Sequence, residues 1–267
     1  MSILRDVVSV IEDVAPPELA AEWDNSGLQL GNPNSRITKV LVALDPLPAV
    51  IREAASLGCG LLVCHHPLFF RNVRRLDLSF GTGAAVDVAV RGGVAVYSAH
   101  TSLDRVSGGV NDALAKLVGI KVSGPIEPMP GRPGTAGFGR VGKLARPRRI
   151  CDIAATLKSA TGAGAFRLTG DGDRVVKTVA VCGGSGAELI HAAFKAGAEL
   201  FVTGDVKYHD ALRADELGLA ALDMGHYWSE RVVLAPLADT LASAFKKKKW
   251  KISVAVSRAQ SEPWNIV

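Results

Sequence analysis

Cys64-His65-His66-Pro67 sets two adjacent imidazoles directly after the apolar run 61–64. Such a run reads as a buried strand, and Pro67 cannot donate to a ladder, so pairing should stop beside it and leave both rings at the strand's C-terminal lip. Where the chain turns off the sheet, both rings can swing toward one point. Two further stretches carry similar chemistry, His100-Thr101-Ser102-Leu103-Asp104 and His226-Tyr227-Trp228-Ser229-Glu230, each at the end of an apolar run. His226 and Glu230 share a helix face if His226 belongs to the first turn. Imidazole with carboxylate suits Zn, Mn, Fe, Co or Ni, and the absence of cysteine from the set argues against a closed structural zinc site. His65, His66, Asp104, His226 and Glu230 are too many ligands for one open ion, yet they fill two if a carboxylate bridges. Two such ions about 3.5–4 Å apart activate water at neutral pH. One His-His pair alone would be read as loop histidines; three histidine motifs at equivalent strand ends would not.

The elements that must position these groups follow from periodicity. Apolar residues at helical spacing predict a helix over 2–14. A strand over 39–44, a helix over 49–57 and the strand 61–64 make a βαβ unit, which implies parallel pairing. A basic loop with Arg71, Arg74 and Arg75 leads to a helix over 82–90, a strand over 94–98 and a helix from Gly108-Gly109 to Val118. The Gly- and Pro-rich stretch 124–139 marks a boundary, giving domains at 1–125 and 126–267, with the final helix and strand as candidates to pack back on the first. Beyond it, a strand over 165–168 is expected to pair with 175–181. The order strand, helix, strand over 177–203 then repeats that of 39–64, and a strand over 219–224 delivers His226. The fold class is α/β: two related domains with mixed, largely parallel sheets and the metal ligands at facing lips.

Composition narrows the rest. Of 267 residues 48% are hydrophobic, enough for a large core. Lys and Arg exceed Asp and Glu by 31 to 26, a net +5 that favours a small anionic ligand and is too diffuse for a specific nucleic-acid binder. The run 246–249 of lysines follows a predicted helix and offsets its dipole. Cys59, Cys64, Cys151 and Cys182 form no C-x-x-C pair and read as reduced thiols. Asp6 interrupts any signal-peptide core and no stretch approaches a membrane span, so a soluble, cytoplasmic protein without membrane contact is expected.

Taken together, His65-His66-Pro67-Leu68, Ala99-His100-Thr101-Ser102-Leu103-Asp104, the segment from Thr203 to His209 and Gly225-His226-Tyr227-Trp228-Ser229-Glu230 resemble the Nif-three-like family. Bacterial members of that family are labelled GTP cyclohydrolase 1 type 2 homologues. Trp23-Asp24-Asn25-Ser26-Gly27-Leu28-Gln29 and Val181-Cys182-Gly183-Gly184-Ser185-Gly186 match as well, so the resemblance spans the chain. It implies a dinuclear metal site in a cleft between two α/β domains, a toroidal homohexamer, and His65, His66, Asp104, His226 and Glu230 as ligands with Glu230 bridging. The chain resembles the shorter members, having no room for an inserted domain.

Other residues carry smaller expectations. His100 is read as orienting Asp104 or a bound water, with direct ligation as the alternative, and His209, with Lys207, as an acid, base or phosphate contact set against a structural hydrogen bond; His100 and His209 are the catalytic candidates. The run 183–186 reads as a tight turn more readily than as an anion loop. His191 is given no role. Two functions compete: a metal-dependent hydrolase or cyclohydrolase acting on a nucleotide-like anion, with Arg71, Arg74 or Arg75 on its phosphates, and a non-enzymatic metal-carrying, metal-sensing or regulatory scaffold. Turnover by metal-loaded protein separates them.

Overall fold

A computed structural model describes residues 2–132 and 134–266. The chain divides into two compact units: the residues up to Leu103 with Leu234–Ser261, and Asp104–Val233 with the residues after Ser261. The first contributes α1 (Leu4–Val14), β1 (Gly27–Leu30), β2 (Lys39–Ala43), α2 (Pro48–Ser56), β3 (Leu61–Cys64), α3 (Gly81–Gly92) and β4 (Ala95–Ser98). Helix α4 (Thr101–Arg105) spans the switch of unit. The second unit follows with α5 (Val110–Val118), β5 (Ile120–Gly124), β6 (Glu127–Pro128), β7 (Gly137–Phe138), β8 (Arg140–Arg149), α6 (Ile150–Thr161), β9 (Arg167–Thr169), β10 (Val175–Ser185), α7 (Ile190–Lys195), β11 (Leu200–Gly204), α8 (Tyr208–Glu216), β12 (Ala220–Asp223) and α9 (His226–Glu230). Finally α10 (Leu234–Lys247) and β13 (Ser253–Val256) belong to the first.

In the first unit the strand order is β1-β4-β3-β2-β13, parallel except for β1, which runs antiparallel along β4. Strands β3 and β4 are buried at every position, as a parallel sheet covered on both faces requires. Leu41, Ala43, Leu62, Cys64 and Val96 pack with Val50, Ile51 and Ala54 of α2 and Ala85 and Ala89 of α3. The alternate residues Val40 and Val42 are equally buried, and α10 lies against β2, β13 and α1. Pairing continues past β3: the His65 and His66 amides donate to the Ala43 and Leu44 carbonyls at 3.1 and 2.8 Å before Pro67 ends the ladder.

The second unit repeats the plan with additions. Its sheet runs β5-β8-β10-β11-β12-β9, with β10, β11 and β12 parallel and the others antiparallel. Val179, Val181, Leu200 and Val202 face Leu114, Ile153 and Leu157. Their alternates Ala180, Cys182 and Phe201 face Ile190, Ala193 and Ala214. One expected pairing fails. Strand β9 lies beside β12, with Arg167 opposite Asp223, and not beside β10, because both edges of β10 are already taken by β8 and β11. Strand β8 also runs on to Arg149, whose basic outward residues gave no apolar signal.

A buried arginine fastens the start of this unit. Arg140, at 0% exposure, makes a bidentate pair with Asp112 (2.9 and 3.0 Å) and donates to the Gly137, Gly139 and Val106 carbonyls. The charge is thereby compensated in full, and the loop after Asp104 is tied to the turn before β8.

Candidate metal-binding residues

Register explains why the first unit's polar groups meet. Ala43, Cys64 and Ser98 stand opposite one another across β2, β3 and β4. Two residues further along each strand brings Asp45, His66 and His100 into one row at the C-terminal lip, with His65 and Ala99 in the row beneath. The ligand nitrogens of His65, His66 and His100 lie within 4.8 Å of one another. Their ring centroids are 5.0–5.7 Å apart.

Each of these rings has its Nδ1 committed to an acceptor. His65, 1% exposed, donates from Nδ1 to the Ala99 carbonyl at 3.1 Å. His66 donates to Asp45 and His100 to Asp24, both at 2.7 Å. A carbonyl or carboxylate cannot supply the proton, so Nδ1 carries it, and in the neutral imidazole Nε2 is then the electron-pair donor. This is how metal-ligating histidines are held. The carboxylates are themselves anchored. Asp45 accepts from the Gln260 side chain and donates from its backbone to Gln260 Oε1 at 3.0 Å. Asp24 accepts from Ser26 and twice from Thr101. Burial disfavours its charge, yet the hydrogen bonds from His100, Thr101 and Ser26 outweigh that and hold its carboxyl well below the ordinary range.

In the second unit, α9 opens at His226, so His226 and Glu230 do share a face. His226 Nδ1 donates to Asp205 Oδ2 at 2.8 Å, and its Nε2 lies 3.0 Å from Glu230 Oε2. An imidazole held this way turns an electron pair toward a carboxylate, and two such atoms at that distance repel unless a proton or a metal ion lies between them. Asp205 sits at φ 54°, a left-handed conformation uncommon for a residue with a side chain. Asp223 holds that turn by accepting from the Val206 and Gly225 amides. Glu230, 4% exposed, rests against Gly183 and Gly184. Asp104 lies at α4, its carbonyl accepting from buried Asn111, which also takes the Gly183 amide. Burial, then the charges of Asp104 and Glu230, pushes the Cys182 thiol up. Cys64 is raised in the same way by burial and Asp45. In both, burial favours the neutral thiol over the thiolate.

The remaining sequence candidates are placed differently. His209 is exposed on the first turn of α8, its ring 5.3 Å from that of Tyr208. In the run 183–186 the Gly183, Gly184 and Gly186 amides go to Asn111, Ser229 and Thr203. Sequence reasoning missed Asp24, Asp45, Asp205 and Gln260. The signal for Asp45 and Asp205 was their position, each just past a strand whose neighbour ends in a histidine.

The fold and these side chains define a mixed α/β protein whose histidine and carboxylate groups are able to hold a metal ion. The model of the Duf34/NIF3 (NGG1p interacting factor 3) family matches residues 2–263, and the chain belongs to that family. It is 34% identical over 264 residues to a GTP cyclohydrolase 1 type 2 homolog of Clostridium perfringens, covering 99% of both chains. A Streptomyces coelicolor protein of the same name is 35% identical over 269 residues, covering 99% of this chain and 94% of that one. Among solved structures, a Staphylococcus aureus hypothetical protein superposes with a TM-score of 0.93 at 29% identity, covering 99% of each. Among the described residues, no helix is long and apolar enough to cross a membrane.

Proposed function

We propose that the chain holds two divalent transition-metal ions, zinc or another of the Mn, Fe, Co and Ni group, in a cleft between its units and hydrolyses a small anionic, nucleotide-like substrate there. His65, His66, Asp104, His226 and Glu230 are the ligands, with Glu230 shared. The observation that carries this reading is the common arrangement of His65, His66 and His226, each giving its Nδ1 hydrogen to a fixed oxygen and aiming Nε2 as a donor. His65 and His66 are assigned to different ions of the pair. Ions bound there would bring the pKa of a coordinated water toward neutrality and polarise the oxygen of the group attacked. The chain's own part is orientation: Asp45 and Asp205 fix two of the rings, and the glycines at 183 and 184 admit Glu230.

A toroidal hexamer, a cytoplasmic location and the absence of specific nucleic-acid binding belong to the same proposal. The name of the relatives makes ring opening of a GTP-like molecule one instance of the reaction. Metal-loaded protein screened against nucleotides, phosphoesters and cyclic amides should turn one class over, and Glu230→Ala should abolish that activity. No turnover by fully loaded protein would overturn the enzyme and favour a metal-carrying role.

A further inference from the structure

The first unit carries a second chemical feature beside its histidine cluster. A cavity of about 430 Å³, within the range of small-molecule sites, is lined by Asn25, Phe69, Arg71, Arg74, Arg75 and Leu76, among others. Among the described residues none of the three guanidiniums has an ion-pair or hydrogen-bond partner, so three like charges share one wall without a counter-charge. Guanidinium forks match phosphate oxygens, and such bonds are the strong ones. The Asn25 and Phe69 side of the cavity is tied together: Asn25 Nδ2 donates to the Phe69 carbonyl at 2.6 Å, the Phe69 amide donates to Gln29 Oε1 at 2.9 Å, and Gln29 in turn donates to the Asn25 carbonyl.

Two aromatic rings stand on the same loops. Trp23 and Phe70 are 63% and 56% exposed, although large aromatics normally gain by burial. Their centroids are 6.1 Å apart, and each lies edge-on to His100, at 5.9 and 6.1 Å. An imidazole of the histidine cluster therefore borders this platform, and Phe70 sits in the chain between the cavity-lining residues Phe69 and Arg71.

We propose that Arg71, Arg74 and Arg75 bind the phosphate of a mononucleotide-like molecule whose aromatic ring stacks on Trp23 and Phe70. Stacking of a base on such a ring is worth about 1–3 kcal/mol and tolerates any base, so the site selects a phosphorylated heteroaromatic compound and not one base. It rests on the proposed hydrolase only for what is done to the molecule; binding itself needs no metal.

The test is calorimetric titration of the full-length protein, treated with chelator, with adenosine and guanosine 5′-monophosphates, the two nucleosides and ribose 5-phosphate. Both nucleotides should bind, and loss of either the phosphate or the ring should weaken binding about tenfold or more. Arg74→Ala/Arg75→Ala should weaken nucleotides and ribose 5-phosphate and leave nucleosides unchanged. Trp23→Leu should weaken nucleotides and nucleosides and leave ribose 5-phosphate unchanged. These side chains are exposed, so unaltered melting curves are expected and confirm folded variants. Nucleotide affinity untouched by the arginine pair, or no nucleotide binding with or without metal, overturns the proposal. So does an arginine variant that changes only the oligomeric state, which would make the loop a protein interface. Metal uptake measured on the same samples keeps the two readings apart: normal uptake without nucleotide binding removes the pocket alone, and nucleotide binding without uptake removes the metal site alone.

Discussion

A β-carbon at Gly184 would fall 2.1 Å from Oε1 of Glu230, so this carboxylate has its place only because residue 184 lacks a side chain. Gly184 also sits at φ +66°. Gly184→Ala must therefore push Glu230 aside as well as strain the backbone. It should cost about 1–3 kcal/mol by urea unfolding and weaken metal uptake about 10–100-fold. Gly197→Ala is the control, since Gly197 has φ +79° with open space around it. It should lose stability and keep metal affinity. Equal uptake by both variants would show that the packing of Gly184 against Glu230 is incidental.

The bond between His66 and Asp45 gives a second expectation. Asp45→Asn cannot hold the imidazole in the same tautomer with the same strength, and Gln260→Leu removes a hydrogen bond that helps to hold Asp45 in place. Each should weaken binding of one ion by about 10–100-fold and spare the other. Biphasic metal titration reads this directly, and a monophasic loss of both ions would place His66 elsewhere in the scheme.

Much of this arrangement was legible in the sequence. The apolar runs before His65, His100 and His226 marked three buried strands, and Pro67 marked where the ladder ends. The four-residue spacing of His226 and Glu230 anticipated α9. The supporting carboxylates were harder to read, because Asp45 is one aspartate among many until register sets it opposite His66. Edge pairing was also illegible: nothing local to 165–168 says that β10 has no free edge, so the choice of β12 as partner is made by the whole sheet.

Arg140 supplies a stability prediction. Arg140→Met leaves the Gly137, Gly139 and Val106 carbonyls without their donor and Asp112, which is partly exposed, without its counter-charge, and should cost about 1–3 kcal/mol in denaturant unfolding. Arg140→Lys should recover little, because an ammonium cannot reach Asp112 and the Gly137, Gly139 and Val106 carbonyls together. Wild-type stability in the lysine variant would contradict the role given to the fork.

Acid should expose the part played by Asp24. Its carboxyl titrates below the ordinary 3.8, despite burial, through hydrogen bonds from His100, Thr101 and Ser26. A depressed value means that its stabilisation is complete above the unfolded value and is lost as the pH falls through the folded one. Asp24→Asn should therefore be markedly less stable than wild type at neutral pH, and the gap should narrow as the pH falls below about 4. A gap independent of pH would mean that the contribution is packing and not charge.

The dinuclear site is tested most directly by counting. After gentle reloading and removal of excess metal, elemental analysis should give close to two transition-metal ions per chain for the wild type, since five ligands with one shared carboxylate serve two ions. Asp104→Ala should retain about one, and Glu230→Ala should be impaired at both positions. A wild-type ratio of one or less would contradict the account, and Asp104→Ala losing both ions while Glu230→Ala keeps one would transfer the bridging role to Asp104.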